Sequence, residues 1–437
     1  MSKTNVAKTN ILIVYETAGA GHEIMANILA EILGQDETFT VIKKTGLELL
    51  ADPLANALTK LWVTCWNTLI RHNLIWLADN LINYWMRLIL LPLGDVSAVP
   101  QVHEVLDQIH PDVIVCTADT WSKCLGTWAR EQQIPFFLVI TEFSVFIDLV
   151  SPDAIHLCYF PETANAIQSF PLDLTYWSQA LHRSATLTQK IAFMARYLYD
   201  FLICYPWNRI CRNIDRSYPP RNQVPCKVIG FIRSPQHLQK RDPETTRQGL
   251  HISNDRPCIL IISGSIGGNF CLQYLRLLQQ LRPKQLTLIV ACGRDQQLLE
   301  KVKRLSQHLK QKLKSEQISE QIQGLGFVAN LQDWMASADL ILARPSAGVL
   351  LESLLAHTPL LCPGYTTAND RGTLALIEKY QLGVCFQGRY DLGPKLSHLL
   401  DNLPDYRRNI ETFVQQYSAD FETKAHSLRQ TILKSCP

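Results

Sequence analysis

The sequence predicts an α/β protein made of two Rossmann-like domains in tandem. Short aliphatic or β-branched runs alternate with longer helical patterns along its 437 residues, as expected for parallel sheets covered by helices. Each half also opens with a strand followed by a glycine-rich turn. Ile11–Tyr15 precedes Gly19, Ala20, Gly21 and His22, and Ile259–Ser263 precedes Gly264, Ser265, Ile266, Gly267 and Gly268.

In chain order, strands are expected at Ile11–Tyr15, Phe39–Lys43, Val113–Thr117 and Phe136–Ile140, then at Cys258–Ser263, Leu286–Cys292, Leu340–Ala343 and Pro359–Cys362. A strand ending at Val228–Phe231 followed by a polar, proline-containing stretch marks a boundary. It divides an N-terminal domain, 1–235, from a C-terminal domain, 236–404. The remaining segment, 405–437, has helical spacing at Ile410, Phe413, Tyr417 and Phe421 and is expected to pack back on the first domain.

A 47% hydrophobic and 19% charged composition with a formal charge of +3 is that of a globular protein and gives no nucleic-acid signal. The 13 cysteines form no C-x-x-C pair, and Cys116, Cys258, Cys292 and Cys362 sit in or beside apolar runs. They read as small buried hydrophobes, so neither a disulfide frame nor a metal site is expected. The polar first ten residues lack the apolar core of a secretory leader, and no stretch is apolar enough to span a bilayer. The expectation is a cytoplasmic protein, peripheral on the inner face of a membrane.

Leu342 to Glu352, followed by Thr358–Leu361 and Pro363–Gly364, reads as a nucleotide-diphosphate clamp. A strand ends at Ala343, a small-residue turn opens a helix at Ala347, and Glu352 lies about one turn inside, able to face a ribose. The free N–H groups of a helix start suit phosphates, and Ser346, Ala347 and Gly348 let a pyrophosphate approach the backbone. The alternative is an ordinary strand, turn and helix with a buried face.

The first glycine turn is not a dinucleotide motif. Its third glycine position is Ile24, and the second strand ends in Lys43 and Lys44 where an acidic ribose ligand belongs. The turn instead places His22 at the carboxyl edge of the sheet, as a candidate general base or a structural histidine.

Two segments exceed a minimal Rossmann pair. Leu54 to Leu93 holds Trp62, Trp66, Trp76 and Trp85, four of nine tryptophans, beside Arg71 and Arg87. Ile167 to Asn222 combines Tyr176, Trp177, Tyr197 and Trp207 with a basic run, and from Arg183 to Arg221 seven cationic side chains, Arg196 and Arg209 among them, face two acidic ones. Aromatic and basic residues on amphipathic helices suit an anionic membrane interface. Core helices and a solvated basic insertion are the alternatives.

Gly19-Ala20-Gly21-His22, Pro111-Asp112-Val113-Ile114-Val115, the Thr141-Glu142-Phe143 turn, the Gly264–Gly268 loop and the Arg344-to-Gly364 clamp, in this order and spacing, resemble the monogalactosyldiacylglycerol synthase and diacylglycerol glucosyltransferase family. The lipid II-forming GlcNAc transferase is a more distant relative. The resemblance covers most of the chain apart from Ile167 to Asn222. It implies a GT-B fold, two Rossmann-like domains facing a central cleft with a helical insertion at about 167–222. It also implies a hexosyltransferase that needs no cofactor or metal, a UDP-sugar donor, and a lipid acceptor such as diacylglycerol.

By the same resemblance, Glu352 would hold the ribose and Ser346, Ala347 and Gly348 the pyrophosphate. Phe327 and Val328 would hold uracil, Ser265 and Gly267 would border the phosphates, and Arg344 and Asn369 would add donor contacts. Gly19 and Gly21 would line the acceptor site, with His22 as base and Glu142 as its partner or an acceptor ligand. Trp62, Trp66, Arg71, Trp85, Arg196, Trp207 and Arg209 would meet the membrane. The chain departs from the family at Tyr365 and Thr366, where Gln and Glu usually hold the hexose, and at Glu142, where Asp is usual. A sugar-nucleotide epimerase and a non-catalytic descendant that binds nucleotide or lipid remain as alternatives.

Overall fold

A computed structural model describes residues 8–16, 20–50, 53–81, 86–87, 91–170, 172–204, 224–233, 239, 241–263, 270–281, 286–313, 322–418 and 421–434. The chain forms two compact units. One comprises Met1–Thr64, Asp79–Ser234 and Tyr417–Pro437, the other Cys65–Ala78 and Pro235–Gln416.

The first unit is built on a six-stranded parallel sheet. Its strands are β1 (Thr9–Tyr15), β2 (Phe39–Thr45), β3 (Val113–Cys116), β4 (Phe136–Ile140), β5 (Ile155–Cys158) and β6 (Cys226–Val228), in spatial order β2-β1-β3-β4-β5-β6. Every residue of β3 and β4 is buried, as continuous apolar runs covered on both faces must be. Helix α1 (Ala20–Gly34) buries Met25, Leu29, Ile32 and Leu33, the stripe a 3.6-residue period places on one side.

Helices α2 (Pro53–Arg71), α3 (Ile75–Asn80) and α4 (Leu91–Ile109) lie between β2 and β3, and α5 (Ser122–Gln132) between β3 and β4. The helices α6 (Pro161–Gln168), α7 (Thr175–Ala180) and α8 (Leu187–Tyr199) follow β5.

The second unit repeats the plan. Its strands are β7 (Cys258–Ile262), β8 (Thr287–Ala291), β9 (Ile322–Leu325), β10 (Leu340–Ala343), β11 (Leu360–Pro363) and β12 (Gly383–Phe386). They pair in the order β12-β11-β10-β7-β8-β9, all parallel. The helices of this half are α9 (Pro243–Gly249), α10 (Phe270–Leu281), α11 (Gln296–Leu313), α12 (Leu331–Ser337), α13 (Ala347–Leu355), α14 (Arg371–Lys379), α15 (Gly388–Asp401) and α16 (Leu403–Tyr417). Ile259, Ile261, Leu340, Leu342 and Leu361 pack with Leu275 and Leu278 of α10 and Val302 of α11 in a buried core.

The last helix, α17 (Phe421–Leu433), belongs to the first unit. It buries Ala425, Leu428 and Ile432 along one stripe, and Arg429 Nε donates to the Ile32 carbonyl of α1 at 2.8 Å. Lys424 Nζ donates to the carbonyls of Ile229 and Tyr417, each at 2.8 Å.

Parts of the tryptophan-rich and basic segments are interior. Trp66 packs with Leu69 on the small cluster of Ile70, Ile75 and Ala78, Trp62 is half-buried, and Arg71 and Trp76 are exposed. Trp177 and Tyr197 are interior, stacked edge-on at 5.5 Å, with Phe193 4.9 Å from the Trp177 ring. These large rings are buried for their apolar area, and the Tyr197 hydroxyl finds the Arg87 carbonyl, so this part of the insertion is core, not an aromatic interface. Trp85, Trp207 and Arg209 lie outside the described residues. Cys116, Cys258, Cys292 and Cys362 are free and buried, as expected.

Candidate functional site

Each sheet has one place where the chain reverses its direction of strand addition, and open α/β sheets bind ligands beyond the carboxyl ends of the strands at such a point. In the first unit it lies between β1 and β3, in the second between β7 and β10. Among the described residues, His22 and Glu142 lie at the first edge, and Ser346, Ala347 and Gly348 at the second.

In the first unit, His22 sits in the first turn of α1 and is only 9% exposed. Its Nδ1 lies 2.5 Å from the Thr117 carbonyl at the end of β3 and 3.2 Å from Thr141 Oγ1 after β4. Thr117 Oγ1 returns a hydrogen bond to the His22 carbonyl at 3.1 Å. A carbonyl can only accept, so Nδ1 carries the proton in the neutral ring and Nε2 keeps its lone pair. That is the tautomer a general base needs.

Two half-buried carboxylates share the electrostatic environment of this imidazole, Asp119 and Glu142. Burial and then the charge of Asp119 push the Glu142 carboxyl up to about 7, while His22 and Arg87 pull the other way. Asp119 is raised by burial and by Asp148. Beneath them Arg87 pairs with Asp148 at 3.2 Å, both side chains 1% exposed, and lies 3.8 Å over the Phe146 ring. Lys123 Nζ donates to the Ile147 carbonyl at 2.6 Å, and burial pushes Asp95 up to about 7 against the pull of the Lys123 cation. This buried charge network fixes the 140–150 loop that carries Glu142. Breaking it would leave uncompensated interior charge.

In the second unit, β10 ends at Ala343 and α13 begins at Ala347, as the sequence indicated. Ser346 is the N-cap, its side chain accepting from Val349 N at 3.4 Å, while the N–H groups of Ala347 and Gly348 belong to the open first turn. An added Cβ at Gly348 would meet nothing within 4 Å, so space stands open over the helix start. Glu352 is half-buried on the same helix. Phe327 follows β9 at the same edge of the sheet, 64% exposed, with the Arg294 guanidinium 5.1 Å over its ring, and Val328 beside it is half-buried.

The departure at Thr366 has a structural account. Thr366 and Thr367 turn inward and donate to Asp370 Oδ2 at 2.9 and 3.1 Å, and Arg344 Nε meets the same oxygen at 3.3 Å. These side chains therefore brace the loop after β11 instead of reaching outward. Tyr365 is 61% exposed and Asn369 half-buried in the same turn. Arg344, expected as a donor contact, is held by Asp370, with its Nη1 buried.

Gly21 is exposed, and an added Cβ there would meet nothing. Gly19, Ser265 and Gly267 lie outside the described residues. Sequence reasoning missed Asp119, Thr117 and the Arg87–Asp148 pair. Asp119 lies just beyond β3, where the carboxyl-end rule could have found it, whereas a backbone carbonyl carries no residue signal.

No family model matches the chain. Among curated proteins it is similar to monogalactosyldiacylglycerol synthase 1, chloroplastic, of Arabidopsis thaliana, 22% identical over 215 residues, 45% of this chain and 38% of that protein. The matched stretches span between 32% and 63% of the length of the curated relatives. Among solved structures it is similar to MurG of Acinetobacter baumannii, with a TM-score of 0.57, 15% identity and 98% and 99% of the two chains covered. It is also similar to Anabaena HepE in complex with UDP, with a TM-score of 0.51, 15% identity and 98% and 100% covered. The fold is GT-B, and these likenesses agree with the resemblance carried by the motifs.

Proposed function

We propose that the protein is a glycosyltransferase moving a hexose from a UDP-sugar to the hydroxyl of a diacylglycerol-like lipid, with inversion at the anomeric carbon. The observation that carries this is His22, whose Nδ1 is tied to the Thr117 carbonyl so that Nε2 is left as a base at the ligand edge of its sheet. The matching edge of the second sheet offers the start of α13 to a diphosphate. The UDP bound by HepE and the lipid product named for the Arabidopsis synthase supply the donor and acceptor classes.

In the reaction the acceptor oxygen forms its bond to the anomeric carbon as its proton passes to Nε2 of His22. The bond from that carbon to the UDP oxygen breaks, and the electron pair leaves with UDP. The N–H groups at the start of α13 stabilise the charge developing on the diphosphate. Asp119 and Glu142 stabilise the imidazolium that forms. Ser346, Ala347 and Gly348 take the pyrophosphate, Glu352 the ribose, and Phe327 and Val328 the uracil. Diacylglycerol does not leave the bilayer, so transfer to it takes place at a membrane surface, with the protein bound peripherally.

Because Thr366, where the resemblance expects a Glu, is committed to Asp370, and Tyr365 replaces the expected Gln, the hexose is recognised with fewer directional side-chain contacts than a Gln and Glu pair provides. Incubating the whole chain with diacylglycerol vesicles and each common UDP-hexose, then following UDP release and new glycolipid, tests the proposal. Glycolipid formation is the expected result. UDP binding with no product on any lipid would favour a non-catalytic descendant of the fold.

A further inference from the structure

The loop after β11 holds one large ring out into solvent on a braced support. Tyr365 is 61% exposed, and among the described residues it has no hydrogen-bond or ring partner. Its neighbours on both sides are fixed. Gly364 N donates to the Phe386 carbonyl of β12 at 2.9 Å. Thr366 and Thr367 are buried and bound to Asp370, whose own N–H donates to the Thr367 carbonyl at 3.1 Å. A loop held in this way presents Tyr365 in one place, so a ligand that meets the ring pays little to order it.

The same loop is tied to the diphosphate cradle. Strands β10 and β11 run parallel with Leu342 opposite Leu361, so the turns that follow them leave the same edge of the sheet. Arg344, two residues before the Ser346 cap of α13, meets Asp370 Oδ2 through its Nε at 3.3 Å. A hexose joined to a diphosphate at the start of α13 thus has this loop as its neighbour on the same unit. In an α-linked UDP-hexose the diphosphate is axial, on the face that also carries the C3 and C5 hydrogens, and an inverting transfer brings the acceptor to the opposite face. A side chain on the diphosphate's own unit meets the first of these faces. That face is C–H surface, which suits an aromatic ring. It is also the same in C4 epimers, because the C4 hydroxyl is equatorial in one and axial on the opposite face in the other.

We propose that Tyr365 stacks on the diphosphate-side face of the donor hexose, in place of hydrogen bonds to its hydroxyls, and that the protein therefore accepts both C4 epimers, UDP-glucose and UDP-galactose. The inference rests on the transferase reading and deepens it by naming the donor class. Magnitudes decide how much discrimination is left. A site built to hydrogen-bond a hydroxyl rejects the substrate lacking it by about 10⁴- to 10⁵-fold, whereas apolar contact separates closely similar ligands by only about 10- to 200-fold. With Thr366 turned inward and Tyr365 where the resemblance expects Gln, the second regime applies.

Binding and transfer test it separately on the whole chain. In calorimetric titrations Tyr365→Ala is expected to bind UDP-glucose and UDP-galactose each about five-fold more weakly than wild type, with UDP affinity unchanged, while Tyr365→Phe restores the binding of both. In transfer to diacylglycerol vesicles the wild-type kcat/KM values for the two donors are expected to agree within about 10²-fold, and Tyr365→Ala to lower both by similar factors. A wild-type preference beyond about 10²-fold for one epimer overturns the proposal. So does a Tyr365→Ala protein that binds both UDP-hexoses as wild type does, or that loses only one of them. If Tyr365→Ala weakens both UDP-hexoses while wild type makes no glycolipid, the transferase reading fails and the stacking site stands. Glycolipid formed equally well by wild type and Tyr365→Ala gives the reverse.

Discussion

The neighbours of His22 say more about it than its place in the chain does. Its glycine-rich turn after a strand was legible in the sequence, and so was the small-residue start of α13. The carbonyl that fixes the His22 tautomer, and the burial and Asp119 charge that raise Glu142, were not, because they come together only when β1, β3 and β4 lie side by side. The raised Glu142 carboxyl has a measurable consequence. Its folded value of about 7 lies above the ordinary 4.5, so between these values the folded protein binds more protons than the unfolded chain. The stability this group contributes is complete at low pH and lost as pH rises through about 7. Glu142→Gln removes that dependence, and thermal melts should show the variant gaining on wild type between about pH 5 and pH 8. A constant difference would mean that Glu142 is not perturbed.

Among the elements, the strands read most clearly from sequence. Strands β4 and β10 match their expected bounds residue for residue, since four or five consecutive apolar residues between turns leave little choice. The expected list omitted β5, β9 and β12, each only four residues long, and caught β6 only as a strand ending near Phe231. Polar or small residues in them, such as Gln323, Gly324 and Gly383, blur the signal. In the insertion, composition shows aromatic and basic residues together but not which of them turn inward, as Trp177, Phe193 and Tyr197 do. Where β6 ends, Gly230 takes a positive φ of 66° and packs on Lys424 and the Tyr417 carbonyl. Gly230→Ala strains the backbone and collides with both, so a loss of at least about 1–2 kcal/mol is expected, read as a lower denaturation midpoint. An unchanged midpoint would show that the seam between β6 and α17 is loose.

Across the whole molecule, the same plan is used twice. Both sheets carry their candidate ligand residues at the one reversal of strand order, a base on the first and a diphosphate cradle on the second. The duplication was legible because each half opens with the same strand and glycine turn. Packing of 405–437 back on the first domain was also expected from the sequence; the chain returns to the first unit at Tyr417, and Arg429 of α17 donates to α1. The proposed chemistry divides along the same line, with proton removal on one unit and leaving-group stabilisation on the other, so loss of the base should spare nucleotide binding. The most direct measurement compares wild type with His22→Ala for labelled hexose transfer from a UDP-sugar to diacylglycerol vesicles, with UDP affinity measured on both. The expected result is a fall in transfer of about 10²- to 10⁴-fold with UDP affinity unchanged. Transfer at the wild-type rate by the His22→Ala protein would contradict the assignment.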